Sequence, residues 1–354
     1  MSSGLKLPLA VLGVACAATT AFAASKRIGR SKSGSNRFDV PPEILSSDCQ
    51  CKVELVLACR LALAAGTNME KHYNSKGTAE ENIDDLDIST KGNDADFATA
   101  IDRLNEALIS REIRSTFPTH EIIGEEAVGT GSIPLLTKCP TWIIDPIPAH
   151  CYSSDGTTNF ASGLPLSCVS IGYCLEGQPY MGVVYSPFTK ELYIGVKGVG
   201  SFRNGVRLLA CVGEKATKQL SGSVVCFEFG YARTEEGVQS MVDAVRRLLK
   251  HGVRSTRSLG AGVLDLCYTA CGRMDVVYTG LAEEGWKPWD YCAGLVIAME
   301  AGCTMSHLKN CGDEDTDQNG DLCSGYNFNL YSNTMICGVN ENLVDQCRRV
   351  VLGD

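Results

Sequence analysis

Apolar residues recur at helical spacing from residue 43 to about 70, with Leu55, Val56, Cys59, Leu61, Leu63 and Ala64 among them, and the Pro41-Pro42 pair marks the start of that helix. A polar stretch, Asn74 to Asp94, predicts an exposed loop, and a second helix is expected from about Asp96 to Ser115. A short strand over 120–123 ends at Gly124. Beyond residue 141 the pattern changes to short strands. Val169–Cys174, Tyr180–Tyr185, Leu192–Val196 and Gly200–Phe202 alternate with turn residues and predict an antiparallel meander. Strands at 222–227, 253–257, 275–279 and 334–338 then alternate with helices at 234–250, 261–272, 289–301 and 341–350. Sheets covered by helices in layers are expected, an α/β (α+β) architecture. The polar connection Gly213–Lys218 suggests a subdomain boundary, giving an N-terminal subdomain over 41–215 and a C-terminal one over 216–354.

The first forty residues are different in kind. Lys6 precedes an apolar run, Leu7 to Ala18, and the small-residue stretch Ala21-Phe22-Ala23-Ala24, the arrangement of a signal peptide with its cleavage site. The run is too short for a mature membrane span. Ser25 to Arg37 is basic and Ser-rich, and no acidic residue precedes Asp39, which suits a transit peptide. The two together resemble a bipartite plastid leader; plain secretion is the other expectation.

The formal charge of −9 over 354 residues argues against a nucleic-acid surface. It leaves room for a small anionic substrate, because a bound cation inverts the local field. Eighteen cysteines occur with no C-x-x-C, and Cys168, Cys174, Cys226, Cys267 and Cys292 sit in apolar surroundings, so buried free thiols are expected. The five histidines are dispersed and give a zinc site no support.

The chemistry lies in acidic residues. Glu125 and Glu126 follow a strand at Gly124, Asp145 and Asp155 flank a short insert, Asp290 opens a helix and Asp102 lies in the second helix. Any one of these alone reads as a solvated charge or a helix cap. Their local contexts change that. If Pro148 to Ser154 are removed, Trp142-Ile143-Ile144-Asp145-Pro146-Ile147 joins Asp155-Gly156-Thr157-Thr158-Asn159-Phe160 to read WIIDPIDGTTNF. In that form a strand delivers two carboxylates, three residues apart, to a turn opening a helix, a geometry for hard cations and a phosphate.

With IIGEE (122–126), the split WIIDPI and DGTTNF, and PWDYCAG (288–294) in this order, the chain resembles the inositol monophosphatase family of lithium-sensitive, magnesium-dependent phosphatases over residues 45–354. The stretches GVVYSPFTKELYIGVKGVGSFRNG and STRSLGAGVLDLCYTACGRMDVVY add to the likeness. The resemblance implies a layered α/β/α/β/α sandwich of the inositol monophosphatase and sugar phosphatase type. It implies that Glu125, Asp145 and the Ile147 carbonyl bind a first Mg²⁺, that Asp155 bridges metals, that Asp290 completes a second site and that Glu126 lies near a third. Asp102 and Thr157 would orient the water that Mg²⁺ activates, with no phosphoenzyme. Gly156, Thr157 and Thr158 would meet the phosphate. Gly260, Ala261, Gly262 and Glu283 (or its neighbour Glu284), with Asp290, would meet the polyol. Inositol monophosphate or a similar small polyol phosphate is the implied substrate, with L-galactose 1-phosphate and histidinol phosphate as competitors, and a homodimer is implied.

The insert Pro148–Ser154 moves the paired aspartates from three residues apart to ten. The flanks are intact and join cleanly, so a splicing artefact is the plainest expectation for the insert; with the insert present, reduced activity is expected of this chain, and a silent relative that binds metal or a partner is the alternative. Asp315-Thr316-Asp317-Gln318-Asn319-Gly320 matches half of an EF-hand loop, but Tyr326 stands where a bidentate Glu is required, so 313–321 reads as an acidic loop.

Overall fold

The computed structural model describes residues 40–73, 89–90, 97–98, 100–147, 156–229, 232–282, 286–310 and 323–354. The leader, the insert with Asp155, Glu283, Glu284 and the acidic loop 313–321 lie outside the described residues. In chain order the elements are α1 (Pro42–Ser46), α2 (Lys52–Tyr73), β1 (Ser89–Thr90), β2 (Phe97–Ala98), α3 (Ala100–Thr116), β3 (Glu121–Gly124), α4 (Glu125–Val128), β4 (Thr141–Asp145) and α5 (Gly156–Ala161). There follow β5 (Val169–Leu175), β6 (Gln178–Ser186), β7 (Glu191–Val196), β8 (Gly200–Arg203), β9 (Val206–Arg207), β10 (Val224–Phe227), α6 (Glu235–His251) and β11 (Ser255–Arg257). The chain continues with α7 (Gly262–Ala270), β12 (Val276–Thr279), α8 (Pro288–Glu300), β13 (Thr304–Ser306), β14 (Met335–Gly338) and α9 (Glu341–Leu352).

Two sheets carry the structure. One has the order β3-β4-β5-β6-β7-β8-β9, parallel only at β3/β4 and antiparallel from β4 onward. The other runs β11-β10-β12-β14-β13, parallel at β11/β10/β12 and antiparallel at β14. The seven-stranded sheet is buried on both faces, so its strands do not alternate cleanly between apolar and polar. Along β4, Trp142 and Ile144 join the core under α2 and α3, while Ile143 joins the core shared with α7, α8 and the five-stranded sheet. Helices α6 and α9 pack together, with α9 against β12, β13 and β14. The layers are thus α/β/α/β/α.

Helix α8 lies close to the seven-stranded sheet because glycines make room. Gly172, Gly182 and Gly195 are cross-strand partners on β5, β6 and β7. A Cβ on Gly182 would fall 2.8 Å from Ala293 Cα, one on Gly195 2.8 Å from Ile297 Cα, and one on Gly172 2.8 Å from Cys292 Cβ. No side chain fits between sheet and helix there.

Three local expectations are corrected. The helix expected over 43–70 breaks after Ser46, because Ser47 turns extended (ψ 170°) and its hydroxyl donates to Ile44 O at 2.7 Å and accepts from Cys49 N at 3.2 Å, a local alternative to helix bonding. The second helix begins at Ala100 rather than near Asp96, since Phe97 and Ala98 pair with Thr90 and Ser89. The same pairing puts a two-residue strand into the stretch expected to be loop. Strand β13 went unforeseen, being too short for any periodicity to show. Cys168, Cys174, Cys226, Cys267 and Cys292 are buried free thiols. No helix among the described residues is long and apolar enough to cross a membrane.

Candidate active site

Asp145 ends β4, Glu125 opens α4 directly after β3, Asp102 sits in the first turn of α3 and Asp290 in the first turn of α8. All four carboxylates are buried. They act on one another: burial first, then the charges of Glu125, Asp102 and Asp290, and a hydrogen bond with Glu125 push the Asp145 carboxyl well above the ordinary carboxylate range. Asp145 Oδ2 has no hydrogen-bond partner among the described residues, while Oδ1 accepts from Ile147 N–H at 3.2 Å.

Clustered buried acids are unfavourable by themselves, since neighbouring like charges and loss of water both oppose ionisation. Carboxylates close enough to raise one another, with Asp145 Oδ2 left without a hydrogen-bond partner among the described residues, are relieved by a divalent cation, and oxygen donors suit a hard cation such as Mg²⁺ rather than a soft metal. The donor set therefore fits the cation that the sequence leads one to expect.

Each acid is held by its local fold. On α3, Glu106 is buried and accepts from the N–H groups of Glu126 and Ala127, both at 2.7 Å, closing the first turn of α4 beside Glu125. Gly124 permits this approach, for a Cβ there would lie 2.7 Å from the Glu106 carboxyl carbon. Asp290 is the third residue of α8, after Pro288 at N1, and its Oδ2 accepts from Lys287 N–H at 2.7 Å.

The remaining expected residues fall in two groups. Ile147 is fully buried beside Asp145, Glu126 is half-buried, and Gly156, Thr157 and Thr158 form the start of α5. The Thr158 hydroxyl is buried without a hydrogen-bond partner among the described residues. Gly260, Ala261 and Gly262 form the turn into α7, Gly260 with φ +65°. A Cβ on Gly262 would meet the Trp286 ring at 2.7 Å. Asp155 and Glu283 lie outside the described residues, as does the side chain of Thr157.

Sequence reasoning missed Glu106, Asn159 and Glu228. Glu106 lies one helical turn after Asp102, so an i,i+4 reading of α3 could have raised it. It also missed a second buried cluster, of two acids and a cysteine. Cys226, Glu228 and Asp265 are buried, with potential ligand atoms within 4.8 Å of one another. Glu228 Oε1 there already accepts two backbone N–H groups, from Leu259 at 3.0 Å and Gly260 at 3.1 Å. Burial first, then the charge of Asp265 and a hydrogen bond with it, hold the Glu228 carboxyl well above its usual range. Glu228 is thus already engaged by the backbone of the turn into α7.

Comparison with known proteins agrees with the geometry. The model of the inositol monophosphatase family matches residues 52–342. Inositol monophosphatase 1 of Bos taurus is 33% identical over 267 residues, 75% of this chain and 86% of that protein. Inositol monophosphatase 1 of Solanum lycopersicum is 40% identical over 208 residues, 58% of this chain and 70% of its own. A solved IMPase from Thermotoga maritima superposes with a TM-score of 0.63 at 28% identity, covering 84% of this chain and 96% of that one. A match of the family model across most of the chain, on a fold that brings Asp102, Glu125, Asp145 and Asp290 together, means that the chain belongs to the inositol monophosphatase family and is a phosphoric monoester hydrolase of that type.

Proposed function

We propose that the protein is a Mg²⁺-dependent phosphomonoesterase acting on inositol monophosphate or a similarly small polyol phosphate. The convergence of Asp102, Glu125 and Asp290 on buried Asp145 carries this reading. Glu125, Asp145 and the Ile147 carbonyl would hold one Mg²⁺, Asp155 and Asp290 would complete a second site, and Glu126 would lie near a third. Cations there supply neutralisation of the ester dianion, acidification of a water and stabilisation of the leaving alkoxide.

The chain's own groups do the positioning. Asp102 accepts the Thr157 hydroxyl proton, which turns the threonine oxygen toward the attacking water as an acceptor. The N–H groups of Gly156 and Thr157 hold phosphate oxygens opposite the carboxylates. Gly260, Ala261 and Gly262 border the polyol, and Glu283 or Glu284 accepts from its hydroxyls. Burial of the four acids keeps water from competing for these contacts. The family resemblance further supports a homodimer, and the leader supports an organelle or the secretory pathway.

The insert Pro148–Ser154 favours a slower enzyme than its relatives, because it begins next to Ile147 and displaces Asp155 along the chain. Catalytic groups need placement within roughly 0.5 Å. Phosphate release from myo-inositol 1-phosphate, with Mg²⁺ and with EDTA, is the measurement for the full chain and for a Pro148–Ser154 deletion. Mg²⁺-dependent release, faster in the deletion, is expected. No release from either chain at any Mg²⁺ concentration would refute the assignment, and equal rates would show the insert to be harmless.

A further inference from the structure

The turn that leads into α7 is gripped on both sides. On its carbonyl side, Asn159 Nδ2 donates to Leu259 O and Gly260 O, both at 2.8 Å, and to Leu166 O at 3.1 Å. On its amide side, Glu228 Oε1 accepts from Leu259 N–H at 3.0 Å and Gly260 N–H at 3.1 Å, and Oε2 accepts from the Ser258 hydroxyl at 3.3 Å. Both gripping side chains are buried. Gly260, at φ +65°, adopts the left-handed backbone between them that favours glycine.

These contacts join distant parts of the molecule. Asn159 belongs to α5, whose first residues are Gly156 and Thr157. Glu228 follows β10, at the end of a strand in the five-stranded sheet. Burying a carboxyl and a carboxamide at a turn is unfavourable unless their hydrogen bonds are met, and here both serve the backbone of the same two residues, Leu259 and Gly260. Asp265, fully buried in α7, has a carboxylate oxygen within 4.8 Å of one of Glu228.

We propose that Asn159 and Glu228 are positioning residues that fix the 258–261 turn against α5, and so set the span between the phosphate end and the polyol end of the substrate. This rests on the reading that the start of α5 meets the phosphate and that Gly260 to Gly262 border the polyol. Neither side chain touches the reacting ester. Loosening the turn therefore weakens selection of the polyol more than it slows attack on phosphorus. A displacement of about 1 Å at a positioning contact can cost roughly 100-fold. With only the polyol side affected, a loss of about tenfold in selectivity is expected.

The test uses the full chain and its Glu228→Ala, Glu228→Gln and Asn159→Ser variants. Two readouts are taken: kcat and KM for myo-inositol 1-phosphate and for methyl phosphate at saturating Mg²⁺, and hydrogen exchange across residues 256–262. Glu228→Ala and Asn159→Ser should lower the inositol-to-methyl ratio of kcat/KM about tenfold, chiefly through KM, and Glu228→Ala should speed exchange at Leu259 and Gly260. Glu228→Gln should keep both near wild type, because its amide oxygen can accept the same N–H groups. Equal losses on both esters, or an unchanged ratio in Glu228→Ala, would overturn the proposal. If the wild type cleaves methyl phosphate but not the inositol ester, the substrate reading fails. Exchange then decides the clamp, and unaltered exchange in Glu228→Ala sinks it.

Discussion

Replacing Gly182 by alanine tests whether the site is set by the closeness of α8 to the sheet. The added Cβ would lie 2.8 Å from Ala293 Cα and closer still to the Ala293 carbonyl oxygen. Carbon atoms in contact rest about 3.5–4.0 Å apart, so roughly 0.7–1.2 Å must be made up. The obstructing atoms are backbone on a buried helix, which no rotamer change can move. Overpacking of this kind costs typically 1–3 kcal/mol, and the gain from replacing a strand glycine returns only about 0.5–1 kcal/mol. A net loss of roughly 0.5–2 kcal/mol is expected in urea unfolding. Ala293 lies three residues after Asp290, less than one helical turn, so the lift carries to the carboxylate. A misplacement near 1 Å predicts about a 100-fold fall in kcat and a higher Mg²⁺ requirement. Stability within 0.5 kcal/mol of wild type, together with kcat within threefold, would refute the reasoning.

Two further outcomes are expected. Glu106→Ala leaves the Glu126 and Ala127 N–H groups without their acceptor; a loss of about 1–3 kcal/mol in urea unfolding and a raised Mg²⁺ concentration for half-maximal phosphate release should follow, and an unchanged Mg²⁺ curve would separate Glu106 from the site. Glu228 keeps its proton in the native state above the pH at which the unfolded chain releases it, so it makes stability fall as pH rises from its ordinary value of 4.5 through its raised native value. Urea midpoints of Glu228→Gln should lack this decline relative to wild type, and parallel pH profiles would count against the raised carboxyl.

Contiguity decided how much of the site was legible. IIGEE, WIIDPI and PWDYCAG each place an acid beside the strand or helix end that presents it, so Glu125, Asp145 and Asp290 could be named from short windows. Glu106 could not, because its partners lie 20 and 21 residues further on. Asn159 stands inside a visible motif, yet its role depends on Leu259 and Gly260, 100 and 101 residues away. Gly172, Gly182 and Gly195 carry no local signal of their role, since glycine inside a strand by itself only weakens it. Only the register shows that they align beneath one helix. The layered architecture was readable because long amphipathic helices and repeated short strands are local patterns. Ser47 and β13 were not, since one side-chain bond or three residues decide them.

Gathering four acids in the interior has an energetic corollary. Their mutual repulsion weakens the cation-free fold, and a cation that binds only the native site returns stability as RT ln(1 + [L]/Kd). Metal binding and folding are then linked at the same residues. The linkage also bears on the insert. Ile147 and Phe160 are buried on either side of it, so both flanks are pinned in one core whatever the length between them. Lengthening a connection adds only about 1 kcal/mol at most in closure entropy. Its main influence should fall on Asp155, the acid between those pins, and hence on catalysis and on the part of stability that depends on Mg²⁺. A fold that is nearly indifferent to Pro148–Ser154 in EDTA, but sensitive to them in Mg²⁺, is what this division of labour requires.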